Sequence, residues 1–339
     1  MPRIAFLVSS ATEIELSDGA RHPTGYFAEE ALKPYERFVA AGADVVVVTP
    51  DGRPPVADDY GLEHFFHYPD EDQDFFGSVT RTFHHDPDDI RITLHQNTEL
   101  GLVAARRIAA RMVATGLDPA QAHRTVSAGA RSAWRQDRQL VDVLVEEGLD
   151  GGLSRAELQA AVDELDAAAR DLARERREKL RAIPGFAAPV ALRDLTADEL
   201  AAFDAVFAPG GHGPMVDLAD DPDVGRLLGA LHRRNAPIAA LCHGPAMLLS
   251  APDRDDGLWL FDGYRMTCFT DEEEDQTVPG RLGLPWYVDT AVKNAGGVFD
   301  DAPAAWVSHV VVDRNLITGQ NPNSTEATAD AVLKALQIR

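Results

Sequence analysis

The run Asp44-Val45-Val46-Val47-Val48-Thr49, closed by Pro50, constrains the fold more than any other stretch. Four successive valines without polar alternation fit a strand covered on both faces, the environment of a parallel sheet between helices. An earlier apolar run, Ile4 to Val8, ends at Ser9-Ser10. A helical pattern follows from Phe27 to Ala41, with Phe27, Ala31, Tyr35, Phe38 and Val39 on one side. The start is therefore β-α-β. The alternation returns late: Asp204 to Ala208 runs into Pro209-Gly210-Gly211, a helical stretch covers Asp223 to Arg234, and Pro237 to Leu241 runs into Cys242-His243-Gly244. Further strands are expected at Tyr264 to Phe269, Trp306 to Val312 and Leu316 to Thr318, and helices at Pro285 to Ala295 and Ser324 to Leu336. Such alternation implies a mostly parallel sheet with helices on both faces.

The segment between the halves is different. From Thr93 to Ile183 no strand is evident, whereas Leu100 to Val113, Arg131 to Val145 and Ser154 to Arg181 carry helical spacing and dense charge. Ser154 and Glu157 make a capping-box pattern, and Leu158, Val162, Leu165, Ala169, Leu172 and Leu180 keep one face apolar. The 339 residues thus divide into an α/β core over 1–85 and 185–339 and a helical insertion over 90–183. The insertion either packs on the core or serves as a lid or oligomer contact.

Charge excludes some partners. With 55 acidic against 32 Lys and Arg residues, the formal charge is −23, which repels nucleic-acid phosphates and anionic membrane surfaces. No run approaches the ~20 apolar residues of a membrane span, and the opening apolar run lacks a signal-peptide pattern, so a cytoplasmic protein is expected. Two cysteines, Cys242 and Cys268, are too few for a disulfide framework or a cysteine-rich zinc site. His64 and His67 lie near Glu63 and Asp70, with His84-His85 shortly after. Their spacing is loose, and they read as surface histidines, with no metal expected.

Ala240-Leu241-Cys242-His243-Gly244-Pro245 carries the strongest chemical signal. An apolar strand ends in a thiol, followed by small residues and an apolar helix from Ala246 to Leu249, the layout of a nucleophile elbow. A helix N-terminus at that point would lower the thiol pKa. Pro209-Gly210-Gly211-His212-Gly213 follows another strand, and its glycines allow backbone N–H groups to face a developing oxyanion. Glu29-Glu30 falls near the same sheet edge. The acidic run Asp271 to Asp275 could supply a carboxylate that orients His243 as a base. Cys268 reads as an ordinary strand residue.

These pieces together resemble the DJ-1/PfpI superfamily, which is similar to class I glutamine amidotransferase domains, and most of all its branch of stress-inducible chaperones with glyoxalase III activity. The resemblance rests on Gly25 to Pro34, Ala41 to Val46, Ala208 to Met215, Ala240 to Pro245, Thr267 to Glu274 and Leu316 to Asn323. It covers the first 60 residues and those after 185, and leaves the helical segment unmatched. It implies a flavodoxin-like three-layer α/β/α sandwich carrying a large helical insertion. It also implies Cys242 as nucleophile with His243 beside it, Glu30 as the acid on the thiolate, and Glu274 as partner of His243, with Glu272 or Glu273 open as alternatives. Gly211 and His243 would form the oxyanion hole, and Gly210 and His212 would touch substrate. The amidotransferase relatives use a C-terminal His-x-Glu pair, but His309 is followed by Val310-Val311, which argues against ammonia transfer from glutamine.

The implied reaction converts a 2-oxoaldehyde such as methylglyoxal to a hydroxy acid, D-lactate in that case, with no metal or organic cofactor. The partner is then a small aldehyde substrate, and a homodimer is expected because homodimers are common among relatives. Three rivals stay open: a deglycase acting on glycated amines through the same thiolate, a cysteine peptidase or amidase using the same Cys-His pair, and, from a different class, a holding chaperone whose insertion presents apolar surface.

Overall fold

The computed structural model describes residues 1–58, 62, 101–136 and 138–338. The histidines at 64, 67, 84 and 85, considered above for a metal, lie outside them. The chain forms two compact units. One comprises Met1–Leu62, Arg176–Asp275 and Pro279–Arg339, and the other Glu63–Glu175 with Gln276–Val278.

The first unit is built on a seven-stranded sheet. Its strands are β1 (Arg3–Leu7), β4 (Asp44–Thr49), β5 (Val190–Ala191), β6 (Ala205–Ala208), β7 (Ile238–Leu241), β10 (Val310–Asp313) and β11 (Leu316–Gly319). They run in the order β10-β11-β7-β6-β1-β4-β5, all parallel except β10, which pairs antiparallel with β11. A short hairpin joins β2 (Glu13–Glu15) to β3 (Arg21–Pro23). Alternate residues of one strand face opposite layers. Phe6 and Phe207 stack at 5.4 Å and meet Tyr35 and Phe38 of the helix Ala28–Ala40. Ala5, Leu7, Val206, Ala208 and Ala240 join a cluster on the other side with Leu227, Leu228 and Leu231 of the helix Pro222–Arg233. The architecture is the expected flavodoxin-like α/β/α sandwich.

Two expected strands are shorter than their sequences suggested. Tyr264 to Phe269 contributes only β8 (Arg265–Met266), which pairs with β9 (Val298–Phe299) outside the main sheet. The backbone beyond β8 has other partners: Thr267 N–H donates to Thr318 Oγ1, and Phe269 N–H to the Cys242 carbonyl. This segment therefore crosses the carboxyl edge of the sheet as a strap, and Cys268, fully buried, lies in it rather than in a strand. Likewise, Trp306 to His309 is irregular, and β10 begins only at Val310. Side chains rather than a neighbouring strand satisfy that backbone: Trp306 N–H donates to Glu273, the Val307 carbonyl accepts from Asn321, and His309 N–H donates to Ser324.

In the second unit the expected helix from Arg131 to Val145 is instead two, Pro119–Gln136 and Leu140–Glu146. The break lets Leu140 and Leu144 fold back on Gly129, where an added Cβ would lie 2.4 Å from Leu144 Cδ2. Ala105–Ala114 and the long helix Arg155–Ala182, as far as Glu175, complete the helical set of this unit. The Ser154 and Glu157 capping pair forms as anticipated. Ile108, Met112, Val126, Leu144, Leu158 and Leu165 share one buried cluster, each contributing roughly 2 kcal/mol. Among the described residues, no helix is long and apolar enough to cross a membrane.

Candidate active site

The site assembles at the carboxyl edge of β6 and β7, where chain segments far apart in sequence converge. Cys242 directly follows β7 and has φ +60°. A left-handed conformation costs a non-glycine residue on the order of 1–3 kcal/mol, so surrounding bonds must hold it. They do: Cys242 N–H donates to the Gly319 carbonyl, and its own carbonyl accepts from Phe269, both at 2.9 Å. The chain then continues into a 3-10 stretch, Gly244–Ser250, in place of the expected α-helix. Gly244 permits that tight passage, since a Cβ there would sit 2.5 Å from the Ala208 carbonyl oxygen.

The thiol is not lowered as expected of a helix N-terminus. Cys242 is 3% exposed. Burial pushes its pKa well up and the charge of Glu30 adds to this, while the Gly211 N–H, hydrogen-bonded to the sulfur, acts the other way. Glu30 itself is fully buried. Its Oε2 accepts from Gly210 N–H at 2.8 Å across 180 positions of sequence, and its carboxyl hydrogen-bonds the Cys242 thiol. Burial pushes Glu30 up to about 8 against the opposing bonds from Gly210 and Cys242. At neutral pH Glu30 therefore keeps its proton, and a neutral Glu30 no longer opposes ionisation of the sulfur. Pro34 lies one turn further along the same helix and, lacking an N–H, cannot close the helical bond to the Glu30 carbonyl four residues earlier.

On the other side of the sulfur, His243 Nδ1 lies 3.2 Å from Cys242 Sγ, and His243 Nε2 lies 2.5 Å from Glu274 Oε2. The thiol, imidazole and carboxylate thus form a continuous line. Phe269 covers the imidazole, with ring centroids 4.5 Å apart. Of the three acids left open above, Glu274 is the partner of His243. Glu272 is exposed, and Glu273 turns to other groups. One turn of helix, Asp271–Glu274, is fixed by a capping box between Thr270 and Glu273. Glu273 Oε1 also accepts from Trp306 N–H, Gln320 Nε2 and Asn321 Nδ2. That anchorage holds the adjacent Glu274 toward the histidine, and the Thr-x-x-Glu spacing that signals it was present in the sequence.

The structure adds a bond that sequence reasoning did not anticipate. His212, expected among substrate contacts, places Nε2 2.8 Å from Glu274 Oε1. Glu274 therefore bridges two buried imidazoles whose rings are 4.2 Å apart. Burial would raise its pKa, but the two histidines together hold it well below the usual carboxylate range. Burial also works against the charged form of His212, yet Glu274 and more distant acids raise it overall. His243 is lowered, by burial first and by His212 second, against Glu274. His243 is then neutral, with Nε2–H directed to Glu274 and Nδ1 left to accept the thiol proton.

The glycine loop explains how these groups come so close. A Cβ on Gly210 would lie 2.6 Å from Cys242 Cβ, 2.7 Å from Glu30 Oε2 and 2.8 Å from His243 N. Gly211 has φ +90°, and a Cβ there would meet the Gly25 carbonyl oxygen at 2.4 Å. At the C-terminal end, His309 pairs with Asp300 at 3.1 Å, away from this line. His212, His243 and Glu274 are also the described residues whose ligand atoms cluster closely enough to hold a metal ion, all within 4.8 Å of one another.

A profile of the DJ-1/PfpI family matches residues 157–335. The chain is 36% identical over 143 residues to "Glutamine amidotransferase-like class 1 domain-containing protein 1" of Bos taurus, covering 42% of this chain and 62% of that protein. It is 28% identical over 138 residues to "Glyoxalase 3" of Candida albicans, covering 40% and 58%. It is 33% identical over 132 residues to "Protein/nucleic acid deglycase HchA" of Escherichia coli, covering 37% and 44%. The matches thus span between 44% and 62% of those relatives' lengths. The crystal structure of Candida albicans glyoxalase III has the same fold, with a TM-score of 0.55 at 18% identity over 99% of this chain and 97% of that one.

Proposed function

Because the chain belongs to the DJ-1/PfpI family, we propose that it is a cysteine-dependent, cofactor-independent enzyme of the glyoxalase III type, converting 2-oxoaldehydes such as methylglyoxal to hydroxy acids. The observation that carries this reading is a thiol held between an imidazole nitrogen at 3.2 Å and the fully buried carboxyl of Glu30. Similarity to a glyoxalase 3 and to a deglycase supports an aldehyde-derived substrate.

His243 Nδ1 takes the proton of Cys242 as the sulfur adds to the aldehyde carbon, giving a hemithioacetal. In this reading the N–H groups of Gly211, now bonded to the sulfur, and of His243 donate to the oxygen that gains charge, a contribution typically of about 3 kcal/mol. His243 returns the thiol proton to that oxygen, and its freed Nδ1 removes the hydrogen from the same carbon while the Glu30 carboxyl protonates the neighbouring carbonyl oxygen. The enediol so formed then takes the proton from His243 at the neighbouring carbon as its first hydroxyl returns one to Glu30. Glu30 and His243 are the exchanging pair. Carbon one is oxidised and carbon two reduced, so no external oxidant is consumed. Water cleaves the resulting thioester, restoring the thiol and releasing D-lactate from methylglyoxal.

The test is a methylglyoxal-to-lactate assay on metal-free protein, with Cys242→Ala and Glu30→Gln beside wild type. Lactate formation falls on the order of 1,000-fold in Cys242→Ala. Turnover undiminished in both variants would reject the reading. Release of ammonia or peptides with no action on methylglyoxal would replace it with hydrolysis of an amide.

A further inference from the structure

We propose that His212, His243 and Glu274 form a binding site for a divalent transition-metal ion, zinc being the reference, whose occupancy switches the thiol chemistry off. A Cys-His-acid line needs one histidine, whereas here Glu274 presents its two oxygens to two imidazoles, Oε1 to His212 Nε2 at 2.8 Å and Oε2 to His243 Nε2 at 2.5 Å. Two histidines and a carboxylate with their donor atoms converging are the ligand set of open three-residue zinc sites. All three side chains are buried, and their ligand atoms lie within 4.8 Å of one another. Zinc bonds of about 2.0–2.1 Å set tetrahedral ligand atoms roughly 3.3 Å apart, so an entering ion parts the Glu274 oxygens from the imidazoles they now meet at 2.8 and 2.5 Å and draws together donors that already lie within 4.8 Å.

Geometry also supplies the outer shell. A metal-bound imidazole donates its other N–H to an acceptor, and His243 Nδ1 already lies 3.2 Å from Cys242 Sγ. Metal on Nε2 displaces the proton there and obliges the neutral ring to carry its hydrogen on Nδ1. In that tautomer His243 donates to the sulfur and cannot accept the thiol proton. Glu274 is likewise withdrawn from orienting the ring. The inhibitory half of the proposal rests on the role given to His243 under the proposed function; the binding half rests on the three side chains.

Binding is therefore measured apart from turnover, by equilibrium dialysis of the full chain against zinc chloride. Wild type and Cys242→Ala retain one ion per chain that His212→Ala and Glu274→Gln bind on the order of 100-fold more weakly. The same zinc concentration that fills this site abolishes wild-type turnover. Unchanged affinity in both variants overturns the proposal, as does loss of the ion in Cys242→Ala, and as does a filled site that leaves turnover intact. Should either variant fail to fold, cobalt(II) loading of wild type decides: absorption without a sulfur-to-metal charge-transfer band supports the nitrogen and oxygen set, and such a band overturns it. If wild type binds the ion as described but never converts methylglyoxal, the functional reading fails while the metal site stands.

Discussion

Replacing Glu30 by glutamine gives a direct measure of how strongly the site works against ionisation. In the folded protein the carboxyl ionises near 8, against 4.5 for the free side chain. Between those values the folded state binds a proton that the unfolded state has lost, so stability falls as pH rises through this window and is unaffected by this group below it. At about 1.4 kcal/mol per tenfold change, the whole displacement corresponds to about 5 kcal/mol, of which about 3 kcal/mol falls between pH 5.5 and 9. Glutamine keeps the shape, can accept from Gly210 N–H and never ionises. Urea unfolding of Glu30→Gln and its parent, both in a Cys242→Ala background so that no thiol shares the proton, should show the variant gaining about 3 kcal/mol over the parent from pH 5.5 to pH 9. A difference between the two proteins that stays constant across that range would refute the burial argument for a protonated Glu30.

The same carboxyl should set the alkaline limb of kcat/KM for methylglyoxal near pH 8 in wild type, and a profile still flat at about pH 9 would contradict its proton-bearing role. Gly210→Ala, which drives a methyl group between Cys242 and Glu30, should cost about 1–3 kcal/mol in urea unfolding and lower turnover on the order of 100-fold; near-normal turnover would show that the close approach is not needed. Glu273→Ala should destabilise by about 3–5 kcal/mol, because donors from Thr270, Trp306, Gln320 and Asn321 lose one buried acceptor. A loss under about 1 kcal/mol in chemical denaturation would disprove that anchorage.

Local chemistry explains which features were legible in the chain. Valine runs and glycine-containing turns marked the βα units because one-dimensional pattern carries burial on both faces of a parallel strand. The thiol at the end of β7 was readable because a strand, a nucleophile and small residues stand next to one another. Tyr264 to Phe269 misled for the same reason: its composition suits a strand, yet its N–H groups serve Thr318 and Cys242. The insertion kept its helices, but the fold-back at Gly129 depends on a contact with Leu144 that spacing does not reveal.

The amino-acid order determined the parallel sandwich and put a cysteine, a histidine and two glycine loops at strand ends, since those arise from neighbours in the chain. Only the tertiary structure decided the ionisation states. Whether Cys242 gains or loses a proton depends on the depth of burial and on Glu30, and whether Glu274 holds one imidazole or two depends on where the His212 loop lands. Such properties arise from through-space fields and excluded water between residues as far as 180 positions apart, and no local pattern records them.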